Sequence, residues 1–317
     1  MATYLVTGGA GFVGSSLAEK LLANGERVRI LDDFSSGRRS NVASLAAGSH
    51  GANLEVVEGS IVDPAVVARC MNGVEVVFHE AAIPSVARSV DDPARSMLAN
   101  VQGTTVVLDQ ARRAGVRRLI FAASSSAYGN TAVLPKVETM EPRPLSPYAV
   151  SKSTGEQLLR VFASLYPIET LSLRYFNVFG PRQDPASHYA AVIPKFITSA
   201  LKKEPSTIFG DGEQTRDFCF IDNVVNANLL AASTPKKLTG EVINIACGDR
   251  TSLNQLWEKV CVATGFSGAP RYEPTRAGDV RDSLADIHAA AELIGYEPRV
   301  RLDQGLEKTV AALRLTL

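Results

Sequence analysis

The stretch "AASSSAYGN", residues 122–130, closes an apolar run with three consecutive hydroxyls and no acid, and "LSPYAVSK" follows with Tyr148 and Lys152 four residues apart. Four residues is about one helical turn, so on a helix the phenol and the ammonium share a face. Ser146 suits an N-cap and Pro147 the first turn, which starts that helix in the right place. A phenol with an ordinary pKa of about 10 is a poor base at neutral pH. A nearby cation and the positive end of a helix dipole both favour its phenolate, which can take and return a hydroxyl proton. Alone, Tyr-x-x-x-Lys equally describes an exposed tyrosine beside a solvated lysine. The elements upstream decide between the two.

Those elements alternate. Short β-branched and apolar runs ("TYLVTG", "RVRILDD", "NLEVVEG", "VEVVFHEAA", "RLIFAASSS") are separated by segments of helical periodicity such as "FVGSSLAEKLLANG". This rhythm predicts βαβ units, hence an α/β fold: a Rossmann-type doubly wound parallel sheet. After "IETLSLRYFNVFG" turn residues multiply around short strands, which predicts a smaller C-terminal substrate-binding lobe. The expected division is a nucleotide-binding domain over 1–177, to which the chain returns around 222–246, and a lobe formed mainly by 178–317.

The first βα turn is "VTGGAGFVG", with Gly8, Gly11 and Gly14 at the spacing of a dinucleotide loop and Gly9 adding a second reading of it. Glycines let the backbone approach a diphosphate lying on the helix N-terminus that Phe12 and Val13 open. The second strand ends in Asp32, where a carboxylate can accept hydrogen bonds from ribose hydroxyls and repel a 2'-phosphate, so NAD is expected rather than NADP. For Asp33 a solvated or capping role stands beside cofactor contact. A later strand ends in Ser124, and that strand end together with the dinucleotide loop favours the catalytic reading of Tyr148 and Lys152.

Bulk properties exclude other classes. Lys plus Arg and Asp plus Glu both total 33, so no net field suggests nucleic acid or an anionic membrane as partner. No apolar run approaches the roughly 18 residues of a membrane span, and the N-terminus has no basic, then apolar, leader pattern. A cytoplasmic protein is expected. Cys70, Cys219, Cys247 and Cys261 form no C-x-x-C pair and the four histidines are scattered, so neither disulfide nor metal is expected.

Taken together the chain resembles the extended short-chain dehydrogenase/reductase family, and within it the nucleotide-sugar epimerases. The resemblance covers essentially the whole length: TGGAGFVG, HEAAIPSV, NVQGT, SSSAYG, YAVSK, LRYFNVFGPRQ, AAVIP, GDGEQTRDF and RAGD occur in family order. It implies that the glycines with Phe12 and Val13, Asp32, Ala81, Ala82, Asn100, Tyr148, Lys152 and Tyr175 contact NAD, and that Ser124 hydrogen-bonds the reacting sugar hydroxyl. One departure is "EGSIVD", where the family often has an acid; Ser60 and Ile61 take that adenine contact here. Relatives that dehydrate or decarboxylate the sugar usually carry Asp or Glu within the serine stretch. "SSSAYG" has none, which leaves reversible oxidation to a 4-keto sugar and inversion at C4.

The resemblance also implies a diphosphate clamp of Arg216 and Arg276, assisted by Asn177 and the backbone near Ala191 and Val192, with Asp279 on a ribose. An arginine fork suits phosphate oxygens. Phe209 is either a uracil contact or a core residue. Ser283 occupies the position that resembles the family's gate against the sugar's 2-substituent. A serine there leaves room for an N-acetyl group, with Ser125, Ser126 and Gln183 nearby. The implied function is an NAD-dependent UDP-sugar 4-epimerase, most like the bacterial UDP-N-acetylglucosamine 4-epimerases, with UDP-glucose also admitted. A UDP-uronic acid stays open if Arg88 reaches the site. A one-way reductase or dehydrogenase and a non-catalytic NAD-binding sensor or scaffold are the alternatives. Pairing into a homodimer through segments 93–114 and 148–165 is implied by the same relatives.

Overall fold

The computed structural model describes residues 2–184, 191–275 and 280–315. Six strands arise in chain order: β1 (Thr3–Thr7), β2 (Arg27–Asp32), β3 (Leu54–Glu58), β4 (Val76–His79), β5 (Arg118–Ser124) and β6 (Glu169–Tyr175). A seventh, Glu241–Ile245, completes the sheet, whose spatial order is Glu241–Ile245, β6, β5, β4, β1, β2, β3. Every pairing is parallel. The chain starts in the middle and winds first one way and then the other, so the crevice for a ligand opens where β1 and β4 diverge, at their carboxyl ends.

Adjacent residues on each strand feed opposite layers. Leu5, Leu31, Val77 and Leu119 join Val67, Val107, Ala111 and Leu159 in one core. Their neighbours Val6, Ile30, Phe78 and Ile120 join Leu17, Leu21, Val224 and Ala231 in the other. Both faces are covered by helices, which is why these strands read as continuous apolar runs rather than alternating ones. Burial of each such side chain contributes about 1.5–3 kcal/mol. The second core continues through Phe196, Trp257 and Leu306, so the C-terminal lobe packs directly onto one layer of the sheet.

Among the described residues of that lobe three short ladders form, Val178–Phe179 with Cys219–Phe220, Thr215–Arg216 with Thr251–Ser252, and Thr207–Phe209 with Arg271–Glu273. Asp217 ties their connections together. Its fully buried carboxylate accepts the Cys247 N–H at 2.9 Å, the Gly248 N–H at 3.1 Å and the Ala285 N–H at 3.2 Å. Burial pushes this carboxyl up to about 6 against the pull of those three donors.

The helix Pro147–Leu165 begins as its spacing predicts, with the Ser146 hydroxyl accepting the Ala149 N–H at 3.2 Å and Pro147 in the first turn. The segment before β5 is less regular. Helices Pro93–Met97 and Gly103–Arg113 are joined by a widened π turn, Leu98–Gln102. The turn carries Asn100, whose amide accepts the Ile83 N–H at 2.8 Å and donates to the Ile83 carbonyl at 3.2 Å. A π turn inserts one extra residue, and here the insertion aims Asn100 at the loop after β4.

Candidate active site

A cavity of about 600 Å³ lies along the carboxyl ends of the central strands. Its floor is the glycine loop. Gly8 has φ +69°, and a Cβ there would stand 2.7 Å from the Ala81 Cα; a Cβ on Gly14 would stand 2.2 Å from the Gly8 carbonyl oxygen. No side chain fits either place. The helix Phe12–Ala23 starts at Gly11 without a side-chain cap, so its first N–H groups offer an anion site next to Gly11, Phe12, Val13 and Gly14, all of which line the cavity.

Asp32 ends β2 at the same wall. Its Oδ2 accepts the Ala10 N–H at 2.9 Å and its Oδ1 the Phe34 N–H at 2.8 Å, so one carboxylate braces the glycine loop and the chain leaving β2. Burial raises its pKa and the two N–H groups lower it. Asp33 also borders the cavity, but its carboxylate caps Ser35, accepting the N–H at 2.9 Å and the hydroxyl at 2.6 Å. Ser60, Ile61, Ala81, Ala82 and Tyr175 also line it. A floor without Cβ atoms, an uncapped helix start and a braced carboxylate fit the diphosphate and ribose of a dinucleotide. Asn100 stands behind this wall, buried, holding Ile83 and donating to the Ser151 hydroxyl at 3.0 Å.

Tyr148 and Lys152 line the same cavity. The Tyr148 backbone is pinned on two sides: its N–H donates to the Ser89 hydroxyl at 3.0 Å, and its carbonyl accepts the Ser151 hydroxyl at 2.8 Å. The Lys152 ammonium donates to the Ala122 carbonyl at 2.7 Å and stands 5.9 Å from the centre of the Tyr148 ring. Ser124 is a hub. Its hydroxyl accepts the Ser126 N–H at 3.2 Å and the Ser126 hydroxyl at 2.9 Å, and it is hydrogen-bonded to the Tyr148 phenol. The serine run thus serves two purposes, since Ser124 also caps the short helical turn Ser125–Tyr128.

Burial holds Lys152 down at about 8, opposed by the charges of Glu80 and Glu156. The phenol departs from the sequence expectation. Tyr148 is raised above its ordinary value, chiefly by burial and further by Glu80, while the Ser124 hydrogen bond lowers it. The ammonium is turned to the Ala122 carbonyl rather than to the phenolic oxygen, so the residues near Tyr148 do not by themselves make it a phenolate.

Residues expected at the sugar end fall into three groups. Gln183 and Ala191 line the cavity, and the Gln183 amide also accepts the Gly180 N–H at 3.3 Å and donates to the Val178 carbonyl at 2.9 Å. Ser125, Ser126, Asn177, Val192, Phe209, Arg216 and Ser283 lie outside its lining. Of these, Asn177 has φ +33° and donates to the Asp217 carbonyl at 3.0 Å, and Arg216 donates to the Thr215 carbonyl at 2.8 Å. Phe209 is half-buried on the strand paired to Arg271–Glu273, and Ser283 is half-buried with its N–H on the Thr215 carbonyl at 3.1 Å. Arg276 and Asp279 fall outside the described residues.

Three residues escaped sequence reasoning. Ser89 and Ser151 orient the Tyr148 backbone, and nothing in their local sequence marks them. Glu80 is different, because "VVFHEAA" places a carboxylate one residue after the apolar run of a strand that is buried throughout, a conspicuous signal.

A family model described as the NAD dependent epimerase/dehydratase family matches residues 4–246. A UDP-glucose 4-epimerase of Mycolicibacterium smegmatis is 40% identical over 312 residues, covering 98% of each chain. The UDP-glucose 4-epimerase of Thermotoga maritima, solved with UDP-glucose, is 42% identical with a TM-score of 0.92 over 99% of both chains. A UDP-N-acetylglucosamine 4-epimerase of Methanobrevibacter ruminantium, solved with UDP-N-acetylmuramic acid, is 35% identical with a TM-score of 0.94 over 100% of this chain and 99% of that one. The seven-stranded fold is thus the fold of these epimerases.

Proposed function

The chain belongs to the NAD-dependent epimerase/dehydratase family, and from that premise we propose that it interconverts UDP-sugars epimeric at C4, with UDP-N-acetylglucosamine and UDP-N-acetylgalactosamine as its preferred pair. The observation that carries the reaction type is the acid-free serine run wired to Tyr148. Ser124 is hydrogen-bonded to the phenol, and no carboxylate stands in residues 122–130 to protonate a leaving hydroxyl.

NAD held by these residues would supply the acceptor and then the donor of the C4 hydride, together with a positive charge that favours a phenolate in the same cavity. As the phenolate, Tyr148 takes the proton of the sugar's 4-hydroxyl and becomes the phenol, and it returns that proton after the 4-keto sugar has turned over. Ser124 shares that proton's hydrogen bond, and the Lys152 charge, 5.9 Å from the ring centre, adds to the field that favours the phenolate before it accepts the proton. Gly8, Gly11, Gly14 and Asp32 hold the cofactor, and Gln183 and Ala191 meet the sugar nucleotide. Support for the N-acetyl preference comes from Ser283, small and half-buried beside the Thr215–Arg216 strand. A second reading, a UDP-uronic acid as substrate, is supported by Arg88 on the cavity wall.

Pairing into a homodimer belongs to the same proposal. Leu98, Val150, Val161 and Leu165 are exposed apolar residues on the two segments expected to pair. Light scattering should give twice the chain mass, and Val161→Glu with Leu165→Glu should halve it.

The direct test incubates the purified protein with UDP-N-acetylglucosamine, UDP-glucose and UDP-glucuronic acid in separate reactions and resolves the C4 epimers by chromatography. Conversion of the N-acetylated sugar is expected. Conversion of UDP-glucose alone overturns the reading of Ser283, turnover of the uronic acid alone favours the Arg88 reading, and no conversion with NAD added removes the epimerase proposal.

A further inference from the structure

Glu80 follows the last residue of β4 and lines the cavity beside Lys152, Tyr148 and Tyr175. It is fixed in place from two directions. Its N–H donates to the Thr7 carbonyl at 3.2 Å, and its Oε1 accepts the Tyr175 hydroxyl at 2.8 Å. That hydroxyl in turn accepts the Asn228 amide at 2.8 Å, and the fully buried Asn228 donates also to the Val224 carbonyl at 2.9 Å within the helix Ile221–Ser233. A hydrogen-bonded chain of three side chains therefore reaches from a core helix to hold one carboxylate against the cavity.

The charges around it sort clearly. Lys152 faces Tyr148 and Glu156 on its own helix, the Phe121 ring and the Ala122 carbonyl from β5, His79 and Glu80 from the end of β4, and Tyr175 from β6. His79 is neutral, pushed down to about 3 by burial and by Lys152. Glu156 is neutralised by Arg174 through bonds of 2.8 and 2.7 Å. Glu80 instead has a neutral phenol as its hydrogen-bond partner and feels the Lys152 ammonium only across the cavity, with no direct ion pair among the described residues, so its negative charge stays on the cavity side.

We propose that Glu80, held by the Tyr175 hydroxyl, is the countercharge of the site, favouring the oxidised cofactor with its cationic nicotinamide over the reduced cofactor with its neutral one. A carboxylate stabilises a nearby cation, the more so the less bulk water lies between them, and does nothing comparable for a neutral ring. The consequence is a bound cofactor that returns to its oxidised form after each turnover. The inference deepens the proposed reading of the cavity, yet it needs no sugar and can fail while the epimerase reading stands.

The test equilibrates the purified full-length protein with NAD and NADH at fixed ratios and reads the bound ratio from nicotinamide absorbance and fluorescence after rapid gel filtration. Glu80→Gln keeps an oxygen for the Tyr175 hydroxyl but removes the charge, and should shift the bound ratio toward NADH on the order of tenfold. The unmodified protein supplies an independent arm. Burial pushes the Glu80 carboxyl up to about 7, so its preference for NAD should weaken as pH falls below that value, while Glu80→Gln stays flat. Tyr175→Phe removes the donor that lowers this carboxyl and should move the midpoint upward. An unchanged ratio in Glu80→Gln, or a flat pH response in the unmodified protein, overturns the proposal. The second criterion applies even if the variant fails to fold.

Discussion

The Lys152 ammonium donates at 2.7 Å to the carbonyl of Ala122, two residues before Ser124 on β5. This bond fastens the helix Pro147–Leu165 to the strand that ends in Ser124, so Tyr148 and Ser124 come from two elements locked together. It also fixes where the positive charge sits.

Loss of that charge should set the alkaline limit of turnover. Burial lowers Lys152 to about 8, so the ammonium is present below that value and disappears as pH rises through it. The kcat measured against pH with saturating UDP-sugar should fall through a single ionisation near there, and Lys152→Met should abolish the limb together with most activity.

Tyr148→Phe removes the proton carrier while leaving the ring and its pinned backbone, and kcat should fall by about 10²–10⁴. Ser124→Ala deletes the hydrogen bond that lowers the phenol and should reduce kcat roughly tenfold or more. Ser126→Ala, which removes only a donor to Ser124, should do much less. Equal effects of the two serine variants in steady-state kinetics would contradict the hub geometry at Ser124.

Asp32→Ala leaves the Ala10 and Phe34 N–H groups without their acceptor. A hydrogen bond to a charged group contributes about 1.5–3 kcal/mol, so NAD affinity in equilibrium titration should drop by roughly tenfold to a hundredfold, with the thermal midpoint lowered as the glycine loop loosens.

Asp217 should make stability depend on acid in an unusual direction. Its carboxyl stands at about 6 in the folded chain against an ordinary 3.8, so the folded state holds this proton more tightly than the unfolded one. The stability it contributes is complete below the ordinary value and is lost as pH rises through 6. In denaturant titrations the advantage of the unmodified protein over Asp217→Asn should shrink by about 3 kcal/mol between roughly pH 3 and 7. A constant difference would show that the carboxyl is not shifted.

Much of the architecture was legible because it is local. The glycine loop, the Asp32 strand end and the Ser146–Pro147 helix start each specify their conformation within a few residues, and the doubly buried strands announce themselves as apolar runs. What escaped is the geometry created by distant parts. No spacing rule reveals that Ser89 meets the Tyr148 backbone, since the contact spans 59 positions. Nor does Tyr-x-x-x-Lys reveal that the ammonium turns to a β5 carbonyl, which leaves burial to raise the phenol. The π turn at Leu98–Gln102 was invisible for the same reason, because Asn100 gains its partners only once the loop after β4 is in place. Glu80 was visible as an anomaly in an apolar context, but its role needed Tyr175 and Asn228 beside it.

The three N–H groups gathered by Asp217 belong to residues 247, 248 and 285, and one of the sheet's two edge strands is Glu241–Ile245. During synthesis the glycine loop is made first, yet the lobe opposite it cannot lock until nearly nine-tenths of the 317 residues have emerged. A nascent chain halted before Ala285 would carry a nucleotide pocket with an unclosed neighbour, its apolar surface open to chaperones. Chain-length series on stalled ribosomes should show protease resistance appearing in the amino-terminal half well before it reaches the segment around Asp217.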